Sequence, residues 1–221
     1  MRLPVNEIFA TVQGEGFHVG TPSIFVRLQG CDVGCGWCDT KHTWQLQAAH
    51  ESNLETMLAK HESDERYAWM DLDQVLAAIE PFTARHVVIT GGEPCAHDLR
   101  RLTEVLIDSL GLRVQIETSA TYPVLAHPQT WVTASPKIAM PGGKTVLPEV
   151  LERAQEIKFP IGRARDVELL KSDVLPFVAE RGRLFLQPIS QSESATKLAI
   201  QTAFELGCRV SIQVHKYIGV R

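Results

Sequence analysis

Residues 23–38 read Ser23-Ile24-Phe25-Val26-Arg27-Leu28-Gln29-Gly30-Cys31-Asp32-Val33-Gly34-Cys35-Gly36-Trp37-Cys38, an apolar, β-branched run that ends in a loop of glycines and cysteines. The run 23–28 has the composition of a buried strand. Gly30, Gly34 and Gly36 let the chain behind it turn tightly without Cβ clashes. Short apolar runs of the same kind return at 86–90, 113–116, 131–134, 156–159, 184–186 and 209–212, which makes seven candidate strands.

Helical spacing fills the intervals. Leu72, Val75, Leu76 and Ile79 form an apolar stripe behind an Asp71 cap. Leu99, Leu102, Leu106 and Leu110 form another, stopped by Gly111. Leu147, Val150, Leu151 and Ala154 follow, with Pro148 in the first turn. Ser190 and Glu193 have capping-box spacing before Leu198, Thr202 and Leu206. Residues 166–180 read as a helix split by Pro176. Strands alternating with helices predict parallel pairing with right-handed crossovers. A closed eight-fold barrel takes about 250 residues, and this chain of 221 spends 45–70 on polar sequence, partly helical around 54–58. The expected fold is therefore α/β: a shortened, open TIM-like barrel, one domain over 1–221 with an insertion at about 45–70. In such sheets the chemistry sits at the C-terminal strand ends.

Composition excludes several functions. A hydrophobic fraction of 44% supports a packed core rather than a disordered chain. Lys+Arg 22 against Asp+Glu 26 leaves a net charge of −4, so no nucleic-acid partner is expected. No apolar run approaches the roughly 18 residues that cross a bilayer. Met1-Arg2-Leu3-Pro4-Val5-Asn6-Glu7 lacks the apolar segment of a secretory signal, so the expected location is the cytoplasm. Reduced thiols, not disulfides, are the reading for five cysteines in that compartment.

Cys31, Cys35 and Cys38 fall within eight residues, while Cys95 and Cys208 stand apart. Three thiolates on one glycine-rich loop suit three irons of a four-iron cluster, with the fourth iron open. Structural zinc is the competing reading, but it needs four protein ligands. With no second Cys-x-x-Cys pair, His42 or Cys95 would have to complete it. Cys95 and Cys208 read as buried thiols. His18, His50, His61, His86, His97 and His127 show no ligand spacing. Taken alone, Gly91-Gly92-Glu93-Pro94 is an ordinary strand-to-helix turn, and Gln13-Gly14-Glu15-Gly16 a plain turn.

Cys-x3-Cys-x2-Cys after a first strand resembles the cluster loop of the radical S-adenosylmethionine superfamily, and Gly91-Gly92-Glu93-Pro94 resembles its glycine-rich segment. Three further stretches narrow the resemblance: Asn6-Glu7-Ile8-Phe9 with Thr11-Val12-Gln13-Gly14-Glu15-Gly16, Arg27-Leu28-Gln29-Gly30-Cys31, and Cys38-Asp39-Thr40-Lys41-His42-Thr43-Trp44. Together with Ser135-Pro136-Lys137, Gln187-Pro188-Ile189-Ser190 and His215-Lys216-Tyr217, they resemble the 7-carboxy-7-deazaguanine synthase family over most of the chain.

That resemblance implies a radical S-adenosylmethionine barrel and a carbon–nitrogen lyase. The implied reaction is ring contraction of 6-carboxy-5,6,7,8-tetrahydropterin to 7-carboxy-7-deazaguanine with loss of ammonia, toward queuosine. It implies a 4Fe-4S cluster on Cys31, Cys35 and Cys38, S-adenosylmethionine, and Mg2+ on Thr40, with Asp39 as the second choice. For S-adenosylmethionine it implies Trp37, Cys38, Asp39, Gly92, Ser135, Pro136, Lys137, Gln187, Pro188, Ile189 and Ser190. For substrate it implies Val12, Gln13, Gly14, Glu15, Arg27, Thr90 and His215. Arg27 suits a carboxylate, and Glu15 suits the guanidine-like edge of a pterin. No catalytic acid or base is assigned, because the cofactor carries the difficult step. Some members end in a proline that holds substrate; Gly219-Val220-Arg221 stands here, so that contact is not carried over. The expected partners are an electron donor such as flavodoxin and a second copy of the chain. Two alternatives stay open: an activase of a glycyl-radical protein, and a non-catalytic zinc or iron–sulfur binding module.

Overall fold

The structure, a computed structural model, describes residues 1–60 and 64–220; His61 and Arg221 lie outside them. Its strands are β1 (Arg2–Val12), β2 (Pro22–Leu28), β3 (Ala68–Asp71), β4 (His86–Gly91), β5 (Arg113–Thr118), β6 (Trp131–Ala134), β7 (Glu156–Ile161), β8 (Leu184–Pro188) and β9 (Arg209–Val210). The helices are α1 (Leu54–Leu58), α2 (Leu72–Ile79), α3 (Arg100–Glu104), α4 (Pro148–Arg153), α5 (Ala164–Leu169), α6 (Glu193–Leu206) and α7 (Val214–Ile218). The strand order is β3-β1-β2-β4-β5-β6-β7-β8-β9, so β3 and β9 stay as edges and the barrel is open. No helix among the described residues is long and apolar enough to cross a membrane.

Strand alternation separates core from lumen. Val87 and Ile89 of β4 and Val114 and Ile116 of β5 pack in one apolar cluster with α2 and α3. Val132, Ala134, Ile157, Phe159, Leu184 and Leu186 join a second cluster with α4, α5 and α6. The intervening residues belong to neither cluster, and several are polar: Gln115 and Thr133 hydrogen-bond to each other at 2.9 Å. Helices thus cover an apolar outer face, and a polar lumen runs inside.

The seven predicted strands are β2 and β4 to β9, and all pairings among them are parallel. Parallel pairing does not extend to the N-terminal edge. β1 pairs antiparallel with both β2 and β3, so β2 is the second strand rather than the first. The described residues of 45–70 hold more regular structure than their polar sequence predicts. They include α1 and most of β3, and bury Met57, Tyr67, Ala68 and Met70. Their anchor is Asn6, at the β1 bulge, whose Nδ2 donates to the carbonyls of Asp64 and Arg66 at 3.2 and 3.3 Å.

Three local expectations change. Ser190 does not cap α6: it sits in a short turn at φ +54°, and Ser192, in extended backbone, accepts from Ala195 instead. Leu110 leaves the apolar stripe. A wide turn over Val105–Ser109, closed by Leu110 N–H to the Val105 carbonyl at 3.1 Å, rotates it until 43% is exposed. β9 ends at Val210, two residues early, where Ser211 and Gln213 turn to hydrogen-bond the 13–16 segment. The Asp71 cap forms as read, and Gln74 completes a capping box with it.

Leu102 is fully buried between α3 and the sheet. Leu102→Ala is expected to cost about 2–5 kcal/mol by urea denaturation, and Asp71→Ala about 1 kcal/mol.

Candidate functional site

The loop after β2 is tied before it presents any sulfur. Gly30 and Cys31 donate to the carbonyls of Thr43 and Trp44 at 2.7 and 2.8 Å, closing the loop at its base. The buried Gln29 amide donates to the carbonyls of His42 and Gln45 at 3.0 and 2.9 Å and accepts from Asn6 at 2.7 Å. β4 then docks on this base. A Cβ at Gly91 would lie 2.3 Å from Leu28 backbone, and one at Gly92 would lie 2.1 Å from the Gly30 carbonyl. Only glycine permits that approach. Glu93 locks it by accepting from Cys95 N–H at 2.9 Å, Thr118 Oγ1 at 2.7 Å and Ser119 N–H at 2.7 Å.

Cys31, Cys35 and Cys38 line one cavity of about 220 Å3 with Gly92, Ser135, Lys137 and Gln187. All three are free thiols. Burial pushes the Cys31 thiol up to about 11 and raises that of Cys35, so thiolates here need a cationic partner. Cluster iron would supply that charge. Cys38 Sγ also accepts from Trp44 Nε1 and Thr40 N–H, both at 3.4 Å, the kind of donor that tunes cluster sulfurs. Cys95 and Cys208 do not line this cavity. The donor set therefore fits a four-iron cluster with one open iron. Lys137 Nζ donates to Ser135 Oγ, and burial lowers the lysine pKa.

A second cavity, of about 350 Å3, is lined by all seven residues expected for substrate: Val12, Gln13, Gly14, Glu15, Arg27, Thr90 and His215. Arg27 Nε donates to Glu7 at 2.5 Å, and its guanidinium lies over Phe9, which stacks on Phe25. Gly14 is fixed by contact: a Cβ there would meet His215 Nδ1 at 2.1 Å. Thr40 lines the same cavity, as does Asp39, whose carboxylate accepts from Lys216 at 2.8 Å.

The two cavities share Glu15, Glu117 and Lys158 as lining. Lys158 Nζ donates to Glu15 and, at 2.9 Å, to Glu117, while Gln213 Nε2 donates to Glu15 at 2.7 Å. Burial alone would raise the Glu15 pKa; the Lys158 ammonium outweighs it and holds the carboxyl at about 2. Burial likewise opposes charge on Lys158, and Glu117 and Glu15 override it, so the lysine stays protonated.

Sequence reasoning missed Glu117, Lys158 and Gln213. The available signal was a charged residue two positions from another polar one inside a buried strand, as in Gln115-Ile116-Glu117 and Glu156-Ile157-Lys158. Some expected cofactor residues do not converge. Asp39 faces the second cavity, while Trp37, Pro136, Pro188, Ile189 and Ser190 line neither, with Trp37 and Ser190 exposed.

The chain is similar to known proteins over its whole length. The model of the radical SAM superfamily matches residues 25–168. A 7-carboxy-7-deazaguanine synthase from Escherichia coli K12 is 49% identical, with 100% of both chains covered. One from Buchnera aphidicola is 41% identical with the same coverage, and one from Aquifex aeolicus 34% over 97% of this chain and 92% of its own. The crystal structure of QueE from Escherichia coli superposes with a TM-score of 0.90 at 49% identity, covering 97% of this chain and 95% of that one.

Lys158→Met leaves two facing carboxylates without their cation, and is expected to destabilise the fold by about 3–5 kcal/mol at pH 7. The sign with pH is opposite in the two proteins. The stability that Glu15 contributes through its depressed pKa is lost in the wild type as pH falls from 4.5 toward about 2. In the variant, protonation relieves the repulsion. Urea titrations at several pH values should therefore show the deficit shrinking in acid.

Proposed function

The chain belongs to the 7-carboxy-7-deazaguanine synthase family of the radical SAM superfamily, and from that premise we propose that its two joined cavities hold S-adenosylmethionine and a carboxylated pterin on either side of the Glu15–Lys158–Glu117 wall. The reaction is then ring contraction of 6-carboxy-5,6,7,8-tetrahydropterin to 7-carboxy-7-deazaguanine with release of ammonia. The observation that carries this reading is the shared wall itself, which brings the cysteine cavity and the Arg27 cavity within reach of each other.

Cys31, Cys35 and Cys38 would hold the cluster, which with S-adenosylmethionine supplies one-electron cleavage of the sulfonium and removal of hydrogen from an unactivated carbon. The protein binds and orients. Glu7 anchors Arg27 through Nε, and a guanidinium has further N–H donors with which to grip the substrate carboxylate. In the same cavity Glu15, kept ionised by Lys158, accepts from the guanidine-like edge of the pterin. A ligand that carries both an anionic group and an N–H-rich edge fits that pair of charges. Gln13 carries the amide beside Glu15, and its Nε2 is held by Glu117 at 3.2 Å and Gln115 at 3.3 Å. Lys137, which lines the cavity with the cysteines, would meet the methionine carboxylate. Gly92, Ser135 and Gln187 complete the cofactor side.

Thr40 is the Mg2+ ligand in this reading. Magnesium takes hard oxygens, keeps waters and shares its shell with substrate anions. What supports Thr40 over Asp39 is that Lys216 and Gln213 already engage the Asp39 carboxylate, at 2.8 and 3.4 Å. The enzyme draws its electron from a donor of the flavodoxin class, works in the cytoplasm and pairs with a second copy of itself.

Anaerobic reconstitution with iron and sulfide, followed by reductant, S-adenosylmethionine, Mg2+ and the pterin, is expected to yield the deazapurine chromophore without stoichiometric loss of S-adenosylmethionine. Accumulation of 5′-deoxyadenosine with no ring-contracted product overturns the substrate assignment. Arg27→Ala should raise the pterin KM by about tenfold or more, the loss of one charge-assisted pair. Thr40→Ala should abolish the response of rate to added Mg2+ while leaving the cluster absorbance unchanged.

A further inference from the structure

The N-terminal end of the lumen is closed by residues 13–20, which return through it after β1. Phe17 stacks on Trp131 at 5.0 Å, and His18 lies 4.5 Å from Trp131 and 4.9 Å from His86. Trp131 and His86 open β6 and β4, so this cluster forms a floor. One residue of the floor is acidic. Glu156, the first residue of β7, is 1% exposed and takes no part in the reading above. Its Oε2 accepts the Phe17 N–H at 3.0 Å, while its Oε1 is buried without a hydrogen-bond partner. Gly16 presses on that orphaned oxygen. It adopts φ +66°, and a Cβ there would stand 1.8 Å from Oε1. Across the turn, Gly16 N–H donates to Ser211 Oγ at 3.0 Å.

β7 therefore holds the returning segment at two points two residues apart. Lys158 takes the side chain of Glu15, and Glu156 takes the backbone of Phe17. We propose that Glu156 is a positioning residue of the substrate cavity, setting the height of Glu15 above the floor by clamping the Gly16–Phe17 turn to β7. The proposal deepens the reading of Glu15 as the pterin's partner and rests on it.

Charge supports the geometry. The charged groups facing Glu156 are Lys158 on its own strand, Glu117 on β5 and Glu15 on the segment. Burial, then Glu117, push its carboxyl up to about 7 against the pull of Lys158. A folded pKa above the ordinary 4.5 means that the native protein binds the extra proton between pH 4.5 and about 7. Stability from this group then falls as pH rises through that window and levels off above it.

The test compares wild type, Glu156→Gln and Glu156→Ala in the full chain. Hydrogen exchange of the Gly16 and Phe17 amides, measured without cofactor, is expected to quicken by about tenfold or more in E156A. E156Q, whose amide oxygen still accepts, should stay within about threefold of wild type. In reconstituted enzyme E156A should raise the pterin KM by about tenfold with little change in kcat, and E156Q should restore it. The fall in melting temperature between pH 5 and 7 should be smaller in E156Q than in wild type. Unchanged exchange in E156A overturns the proposal, as does an E156Q that exchanges as fast as E156A. Should E156A fail to fold, Glu156→Asp, one methylene short, is expected to quicken exchange in its place, and protection equal to wild type overturns the clamp. If wild type turns over no pterin while the exchange pattern holds, the Glu15 assignment fails and the clamp stands.

Discussion

A single ammonium between two carboxylates inside an unclosed barrel is the constraint on which this protein depends. Lys158, Glu15 and Glu117 come from a strand, a returning segment and a second strand, and none could sit in the lumen alone. Removing charges from water costs several kcal/mol per ion before any attraction repays it. Gln213 and Gln187 satisfy further lone pairs of Glu15, at 2.7 and 3.3 Å, and Gln13 and Gln115 reach Glu117 at 3.2 and 2.9 Å. With those bonds made the lumen holds a polar, preorganised surface where a closed barrel would hold layers of aliphatic side chains.

The second element is the joint between β2 and β4. Gly91 and Gly92 lie against Leu28 and Gly30 so closely that any side chain would collide with backbone. Glu93 then ties the joint to the end of β5. The residue after Gly30 is the first cysteine. The pair of glycines thus places the cysteine loop relative to the rest of the sheet, in addition to whatever it offers a ligand. Loop closure through Gln29 and Asn6 connects the same place to the 45–70 segment, so one buried amide pair links β1, the cysteine loop and the insertion.

What the chain revealed before folding follows from the range of its interactions. The parallel strands were legible because each is a short run whose apolar or alternating pattern is local. β1 was not: Pro4 and the polar Asn6 and Glu7 interrupt it, yet all three are buried by what pairs beside them. β3, four residues long at an edge, is too short for alternation to register. The cysteines, Arg27 and Gln13 to Glu15 were legible through motif resemblance, and their cavities are where the strand ends place them. Lys158 and Glu117 were not, because each acquires meaning only from a partner far along the chain; Lys158 is 143 positions from Glu15. In isolation they are one lysine and one glutamate. Leu110 and Ser190 fall between these cases, since a one-residue change in turn geometry redirected both.

An open barrel has two unpaired margins, and a row of free backbone amides and carbonyls is a template on which a strand from another molecule can add. Here both end strands are short. β3 runs four residues and β9 only two before the chain folds inward and becomes α7. Neither end strand by itself offers a foreign strand more than a few rungs.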